Sequence, residues 1–270
     1  MTTPPRKARQ REALHQGVDR RRCIQAAAAI ACGAGLGAGP ARAQALRRTA
    51  VVSFIGDRLV VVHAGPVTGS RLDPNRQHSL PDPAGAMDQF ALAAAGRSLE
   101  VGGQASAALL ALQPSPLHEQ AEQWVDGPKV ALPGPLVDAV DQSGASHLLL
   151  LTKHRADASI PLLNGHLGVG KLHGLGYYVD SAARIRMVES GATGYGLLAA
   201  YAYFTLTLAD ARTGEVLKQR HCSAARAYPV AASKTALDPW DVLPAEQKVA
   251  RLRSLLEREL AREVPLLIAA

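Results

Sequence analysis

The chain has 270 residues and three cysteines, and beyond residue 32 only Cys222 remains. No disulfide can form within that part of the chain, so packing alone must hold it together. Aromatic residues make up 4% of the sequence, and alanine fills much of an apolar content of 47%. The core is therefore expected to be aliphatic and closely packed. Long apolar runs are also lacking. The run Ala26–Leu36 covers about half of the roughly 20 residues that a membrane-spanning helix needs, which leaves no stable membrane span to expect. There is neither an internal repeat nor a low-complexity tail.

Several chemical signatures are absent. The eight histidines beyond residue 45 form no H-x-x-x-H or H-E-x-x-H pair, and there is no G-x-S-x-G elbow. No catalytic residue, metal ligand or cofactor can be assigned on these grounds. The net charge of +7 suggests a polyanion partner at first sight. Its distribution argues otherwise. Eight of the 30 basic residues but only two of the 23 acidic ones lie in residues 1–45, so 22 basic and 21 acidic side chains remain beyond them. A nearly neutral body offers no electrostatic footprint for nucleic acid.

The basic segment has its own pattern. Arg20-Arg21-Arg22 precedes the mildly apolar run, and small residues follow up to two overlapping A-x-A sites that end at Ala43 and Ala45. That order reads as an export signal over residues 1–45, cut after Ala43 or Ala45, with residues 46–270 as a single domain. The segment resembles a twin-arginine signal. Arg20 and Arg21 match the arginine pair, the apolar region is weak, and Arg42 lies inside the cleavage region. The resemblance implies a periplasmic body. Lipid attachment at Cys32 is the minor alternative, since Ala29-Ile30-Ala31 before it lacks the expected leucine.

The rest of the chain is organised around a hairpin. Tyr201, Tyr203, Thr205 and Thr207 alternate with Ala202, Phe204, Leu206 and Leu208, a period of two over eight residues. Asp210 to Glu215 supplies a turn, with Gly214 free to take positive φ, and Val216–Ala225 leads back with Cys222 as a small buried residue. Ahead of it, Ala50–Ile55 and Leu59–His63 flank Gly56-Asp57-Arg58 and predict a second hairpin. Residues 64–83 read as a long surface loop. A helix is expected over 84–99, where Met87, Phe90, Ala91, Ala94 and Ala95 recur and Asp88 sits in the first turn. Further helices are expected from Pro116 to about Val125, and after Pro133 and Pro135, with Leu136, Val137 and Val140 on one face and Gly144 as the stop. Between them and the hairpin, Ala105–Leu112 reads as a short strand, and His147–Lys153 as a central strand covered on both faces. A terminal helix runs from about Pro244 to Leu260 or beyond, with Val249, Leu252, Leu256, Leu260 and Leu267 in a stripe. The fold class is α/β, with α+β as the alternative. A mixed sheet of about five to seven strands carries the long hairpin and is covered by helices.

Gly165, Gly168, Gly170, Gly174 and Gly176 crowd the stretch before Tyr177-Tyr178-Val179-Asp180. Those four residues are strand-like, and Lys171 precedes Leu172, not Ser or Thr, so neither a dinucleotide fingerprint nor a P-loop is present. A bulged β-loop is the expected structure. His154, His166 and His173 are the histidines that could form a zinc site, or an acid–base site with Asp157 or Asp180. Ser143-Gly144 and Ser190-Gly191 lack the setting of a nucleophile.

The turn Asp210-x-x-Thr213-Gly214-Glu215, closing a long hairpin among interleaved helices and strands, resembles one in bacterial envelope-assembly domains. Examples are the periplasmic part of the curli secretion channel and the amino-terminal domain of the Tol-system propeller protein. That resemblance implies a non-enzymatic binding or assembly role. The expected function is an exported binding module of the cell envelope. It would recognise an envelope protein or a small ligand through residues 64–83 and 163–176. An exported hydrolase with a Ser/His/Asp or His–metal site is the alternative.

Replacing both Arg20 and Arg21 by Lys should stop export of the folded body, measured by cell fractionation. Continued export with normal processing would sink the twin-arginine reading.

Overall fold

The computed structural model describes residues 47–66, 73–101, 105–186, 193–229 and 238–269. Arg20, Arg21, Cys32, Ala43 and Ala45 lie outside the described residues. In chain order the strands are β1 (Arg47–Ser53), β2 (Arg58–His63), β3 (Arg76–Pro81), β4 (Ala105–Leu110), β5 (Val125–Asp126), β6 (Lys129–Val130), β7 (His147–Lys153), β8 (Arg155–Asp157), β9 (Ile160–Leu162), β10 (Gly165–Leu167), β11 (Lys171–Arg186), β12 (Thr193–Asp210) and β13 (Val216–Pro229). The helices are α1 (Ala86–Glu100), α2 (Leu117–Gln120), α3 (Gly134–Gln142) and α4 (Ala245–Ile268).

Nine strands make one mixed sheet, in keeping with the α/β class. The long hairpin is its spine. β12 pairs antiparallel with β13 from Leu197 to Ala209. Along its other edge β12 is too long for one neighbour and takes two, end to end. Lys153 at the end of β7 faces Phe204, and Gly174 of β11 faces Tyr203, the next residue. The next row out repeats the arrangement, with β1 parallel to β7 and β2 parallel to β11. β4 lies parallel outside β1, and β3 antiparallel outside β2.

This arrangement overturns the hairpin expected at Gly56. β1 and β2 run the same way, one after the other, and do not pair. Gly56 serves close approach, not a turn. A Cβ there would overlap the backbone of Met87 and Asp88, and Asp88 Oδ1 accepts from the backbone N–H of Ile55 and Gly56, both at 3.0 Å. The start of α1 thus holds the chain in a jog and carries it forward. Gly176 meets the same constraint between rows, since a Cβ there would overlap the Val60 carbonyl.

Three smaller expectations also change. Part of the 64–83 loop is the edge strand β3, and residues 67–72 of it are outside the described residues. The helix expected from Pro116 is one turn, α2, followed by a 3-10 turn over Ala121–Trp124. Val137 and Val249 are 40% and 37% exposed, so they leave the apolar stripes assigned to them.

Both faces of the hairpin are buried. On one face Ala202, Phe204, Leu206 and Leu208 meet Leu252, Leu256 and Leu260 of α4 and the alanines of α1. The opposite face is buried as well, with Thr205 5% exposed and Thr207 fully buried. Two covers account for this. The Gly-rich excursion of residues 154–173 forms a ribbon, with β8 antiparallel to the start of β11 and β9 antiparallel to β10. Its Ile160 packs with Tyr201 and Tyr203. Farther along, Trp124, Leu136 and Val140 cover Val52, Phe54, Leu148 and Leu150. Tyr and Thr carry hydroxyls into this buried face, and each hydroxyl finds a partner. Tyr201 donates to the Val60 carbonyl at 3.0 Å, Tyr203 donates to the Asp157 carbonyl at 3.2 Å, and Thr205 bonds His221 Nδ1 at 2.9 Å. A satisfied hydroxyl can be buried at little cost. The sheet is a middle layer here, not one of two.

The hairpin turn forms as the residues require. Asp210 Oδ1 accepts from Arg212 N and Thr213 N, and Gly214 has φ 69°. It is also packed, since Val130 N donates to the Gly214 carbonyl at 2.7 Å.

Leu206→Ala should cost about 2–5 kcal/mol, as for other filled core sites. Thr205→Ala should cost about 1 kcal/mol through its lost hydrogen bond. Chemical denaturation ranks the two. Equal losses would mean that Leu206 is not packed as described.

Candidate functional site

The two covers touch where His173 meets Glu122, and they stay apart beside that contact. Between them, over the junction where β7 gives way to β11 and β1 to β2, lies a cleft of about 360 Å³. Each wall comes from a break in regular structure. Arg58 opens β2, Lys153 closes β7, and His173 stands beside the junction residue Gly174. Glu119 and Glu122 reach in from the lower cover, and Gln77 and Ser79 come from the edge strand β3. Mixed parallel and antiparallel rows put this junction on one face of the sheet, so residues far apart in sequence converge there.

The charged groups satisfy one another. Lys153 Nζ lies 2.6 Å from Asp57 Oδ1, and Arg58 Nε donates to Asp57 Oδ2 at 2.8 Å. Arg58 Nη2 also donates to Glu119 Oε1 at 2.6 Å. His173 Nε2 and Glu122 Oε1 are 2.6 Å apart. Burial pushes the Asp57 carboxyl up, but Lys153 and Arg58 together outweigh it and hold the group below the usual carboxylate range. The hydrogen bonds to Glu119 and Asp57 raise Arg58 further. Nearby, His154 stacks on His221 with ring centres 4.5 Å apart. Burial, then the neighbouring His221, lowers the His154 pKa, which favours a neutral ring at physiological pH.

Behind the cleft sits a second buried carboxylate. Asp88 Oδ1 accepts from Ser53 Oγ at 2.5 Å, and Asp88 Oδ2 bonds His118 Nε2 at 2.9 Å. Serine, aspartate and histidine are thus in contact, but in the wrong order for a hydrolase. The serine is bonded to the carboxylate, and the histidine lies on the other oxygen. Nucleophilic attack needs the base beside the hydroxyl. All three side chains are buried, so they form a structural knot.

The expected histidine–carboxylate pairs do not form. His173 meets Glu122 and neither Asp157 nor Asp180. Asp157 is 83% exposed and pairs with Lys171, while Asp180 Oδ1 accepts from Ala182 N and Ala183 N at a bulge in β11. His166 lies exposed on β10, away from the cleft lining. Among the described residues no group of three His, Cys, Asp or Glu side chains could hold a metal ion. Ser143 is tied to the Val140 carbonyl at the end of α3, and Ser190 lies outside the described residues. Cys222 is buried, and desolvation pushes its thiol up to about 12, so it is not a nucleophile.

The two loops singled out from sequence do come together. Asn75 Nδ2 donates to the Val169 carbonyl at 2.5 Å, and Lys171 N donates to Asp73 Oδ2 at 3.1 Å. Sequence reasoning missed Asp57, Arg58, Glu119, Glu122 and Lys153 as a group. No local pattern joins them, since Arg58 and Glu119 are 61 positions apart. Asp57 and Arg58 carried a turn-like signal that read as a hairpin loop.

No family model matches the chain, and no curated protein sequence does. The curli and Tol families are therefore not found. Among solved structures, a PelC dodecamer from Paraburkholderia phytofirmans is 13% identical, with 86% of this chain and 94% of that one covered and a TM-score of 0.27. Protein XCC0632 from Xanthomonas campestris is 14% identical, with 85% and 89% covered and a TM-score of 0.31. At these scores the likenesses carry no functional argument.

Asp57, with its pKa lowered on folding, stabilises the fold above its unfolded value of about 3.9. That stabilisation is lost as pH falls through the lower, folded value. Asp57→Asn should therefore lower the melting temperature at pH 7 and flatten its fall as the pH drops below about 4. A wild-type acid profile in the variant would show that the ion pair adds nothing.

Proposed function

We propose that this chain is an exported, non-enzymatic binding module of the bacterial cell envelope, and that it engages an envelope protein or a small ligand at the cleft between the two covers. One observation carries the reading. Arg58, Lys153, Glu119 and Glu122, the lysine, arginine and glutamate side chains of the lining, each have a partner within the site or beside it. A catalytic acid or base works best with a pKa near the operating pH. Asp57 is instead pulled away from that range. The cleft is a concavity lined mainly by polar and charged side chains, which suits recognition of a polar partner. Support for export comes from the arginine pair and the A-x-A sites. Among the described residues no helix is long and apolar enough to cross a membrane. On this reading the body is periplasmic, with a lipid anchor at Cys32 as the alternative that the mass of the mature protein decides.

A photo-crosslinking side chain at Gln77 should trap a discrete adduct in the envelope of intact cells. The same group at Val249, exposed on α4, should not. Equal yields at both positions would remove the cleft as the binding site.

A further inference from the structure

Three strands, β13, β3 and β4, have no partner on their outer edge over most of their length among the described residues, and β13 and β3 are protected to different degrees. The outer edge of β13 carries Lys218, Arg220 and His221, and α4 reaches across to hold the first two through the Ala269 carbonyl and Glu263. Basic side chains and a covering helix are ordinary defences of a strand edge. β3 lacks this cover. All six of its residues are exposed, and among the described residues it pairs only with β2.

The register shows which backbone groups of β3 are free. Asp82 N donates to the Asp57 carbonyl at 2.9 Å. Antiparallel pairs alternate between bonded and non-bonded positions. Counting along the register, Leu80, His78 and Arg76 exchange bonds with Leu59, Val61 and His63 of β2. Gln77, Ser79 and Pro81 therefore turn their backbone groups outward. Pro81 has no N–H but keeps its carbonyl, so the edge offers two donors and three acceptors in strand geometry.

We infer that this edge receives an extended polypeptide segment of a partner protein, which adds as a further strand and lays a lysine or arginine side chain into the cleft. The inference rests on the cleft being the binding site and names the partner's chemistry. Gln77 and Ser79 face Val62 and Val60 in the register and line the cleft, so an added strand would project alternate side chains on the same face. Charge selects those side chains. The cations are the less accessible charges: the Lys153 side chain is 7% exposed, and Arg58, 33% exposed, is held between Asp57 and Glu119. The carboxylates are presented, with Glu119 67% and Glu122 38% exposed. A basic side chain complements that rim, and an acidic one does not.

The test uses the full chain, isotope-labelled, and a capped octapeptide of alternating threonine and valine with one central lysine. Amide shifts at Gln77 and Ser79 are expected, and replacing the lysine by glutamate should weaken binding by about tenfold or more. N-methylation of alternate peptide amides should abolish it. Ser79→Pro removes an N–H that β2 does not use, so the variant should keep the wild-type melting temperature and lose the peptide. His78→Pro should instead disrupt the strand. The inference is overturned by any of three results: no shift at Gln77 and Ser79, equal binding of the lysine and glutamate peptides, or full binding by a folded Ser79→Pro. Should that variant not fold, the N-methylated peptide decides. A crosslink from Gln77 without peptide binding would leave the cleft standing and remove only the strand addition.

Discussion

The need of β12 for a partner along its whole length constrains everything around it. An unpaired N–H or carbonyl in this layer would lie between two covers with no water to bond. β13 fills one edge continuously, from Leu197 to Ala209. The other edge is filled by β7 and β11 in succession, and their junction at Lys153 and Gly174 is a seam across the sheet. β1 and β2 repeat the seam one row out. Chain that leaves the sheet at such a seam must go somewhere. Residues 154–173 fold back over the Tyr201 and Tyr203 face, and the cleft is the space between that ribbon and the neighbouring cover.

Two buried or nearly buried carboxylates hold the seam. Asp88 gathers Ser53, the amides of Ile55 and Gly56, and His118, and so ties α1 and the lower cover to the jog between β1 and β2. Asp57 gathers Lys153 and Arg58, and so ties the ends of β7 and β2 together. A single carboxylate buried without such partners would be strongly unfavourable, and breaking a buried pair commonly costs about 3–5 kcal/mol. The same pairing gives the cleft its character. Lys153 pairs with Asp57 and Arg58 with both Asp57 and Glu119, while Glu119 and Glu122, although paired, are the more exposed charges at the rim. Folding electrostatics and recognition electrostatics here involve the same few residues.

Much of the architecture is legible in local patterns. The long hairpin, the central strand His147–Lys153, α1, α3 and the terminal helix follow from apolar periods of 2 and 3.6, although β12 begins at Thr193, well before the alternating run at Tyr201. Elsewhere a local signal is compatible with two tertiary outcomes, and the structure takes the less expected one. Gly56-Asp57-Arg58 can turn a chain or carry it through a tight passage. Tyr201, Tyr203, Thr205 and Thr207 can face water, or lie buried if every hydroxyl finds a partner. Asp88 in a first helical turn suggests only a favourable dipole contact, but its four bonding partners come from distant chain.

Local patterns and composition carry the class of the fold, the identity of most elements and the near balance of charge beyond residue 45. Those properties are sums over local patterns or over charge. Tertiary structure alone decided that β1 and β2 lie end to end, that the hairpin is a middle layer and that a cleft opens at the seam. It also decided that Asp57, Arg58, Glu119, Glu122 and Lys153 meet there. The physical reason is that strand pairing and ion pairing join residues by distance in space. Arg58 and Glu119 are 61 positions apart along the chain, a separation at which no spacing rule operates.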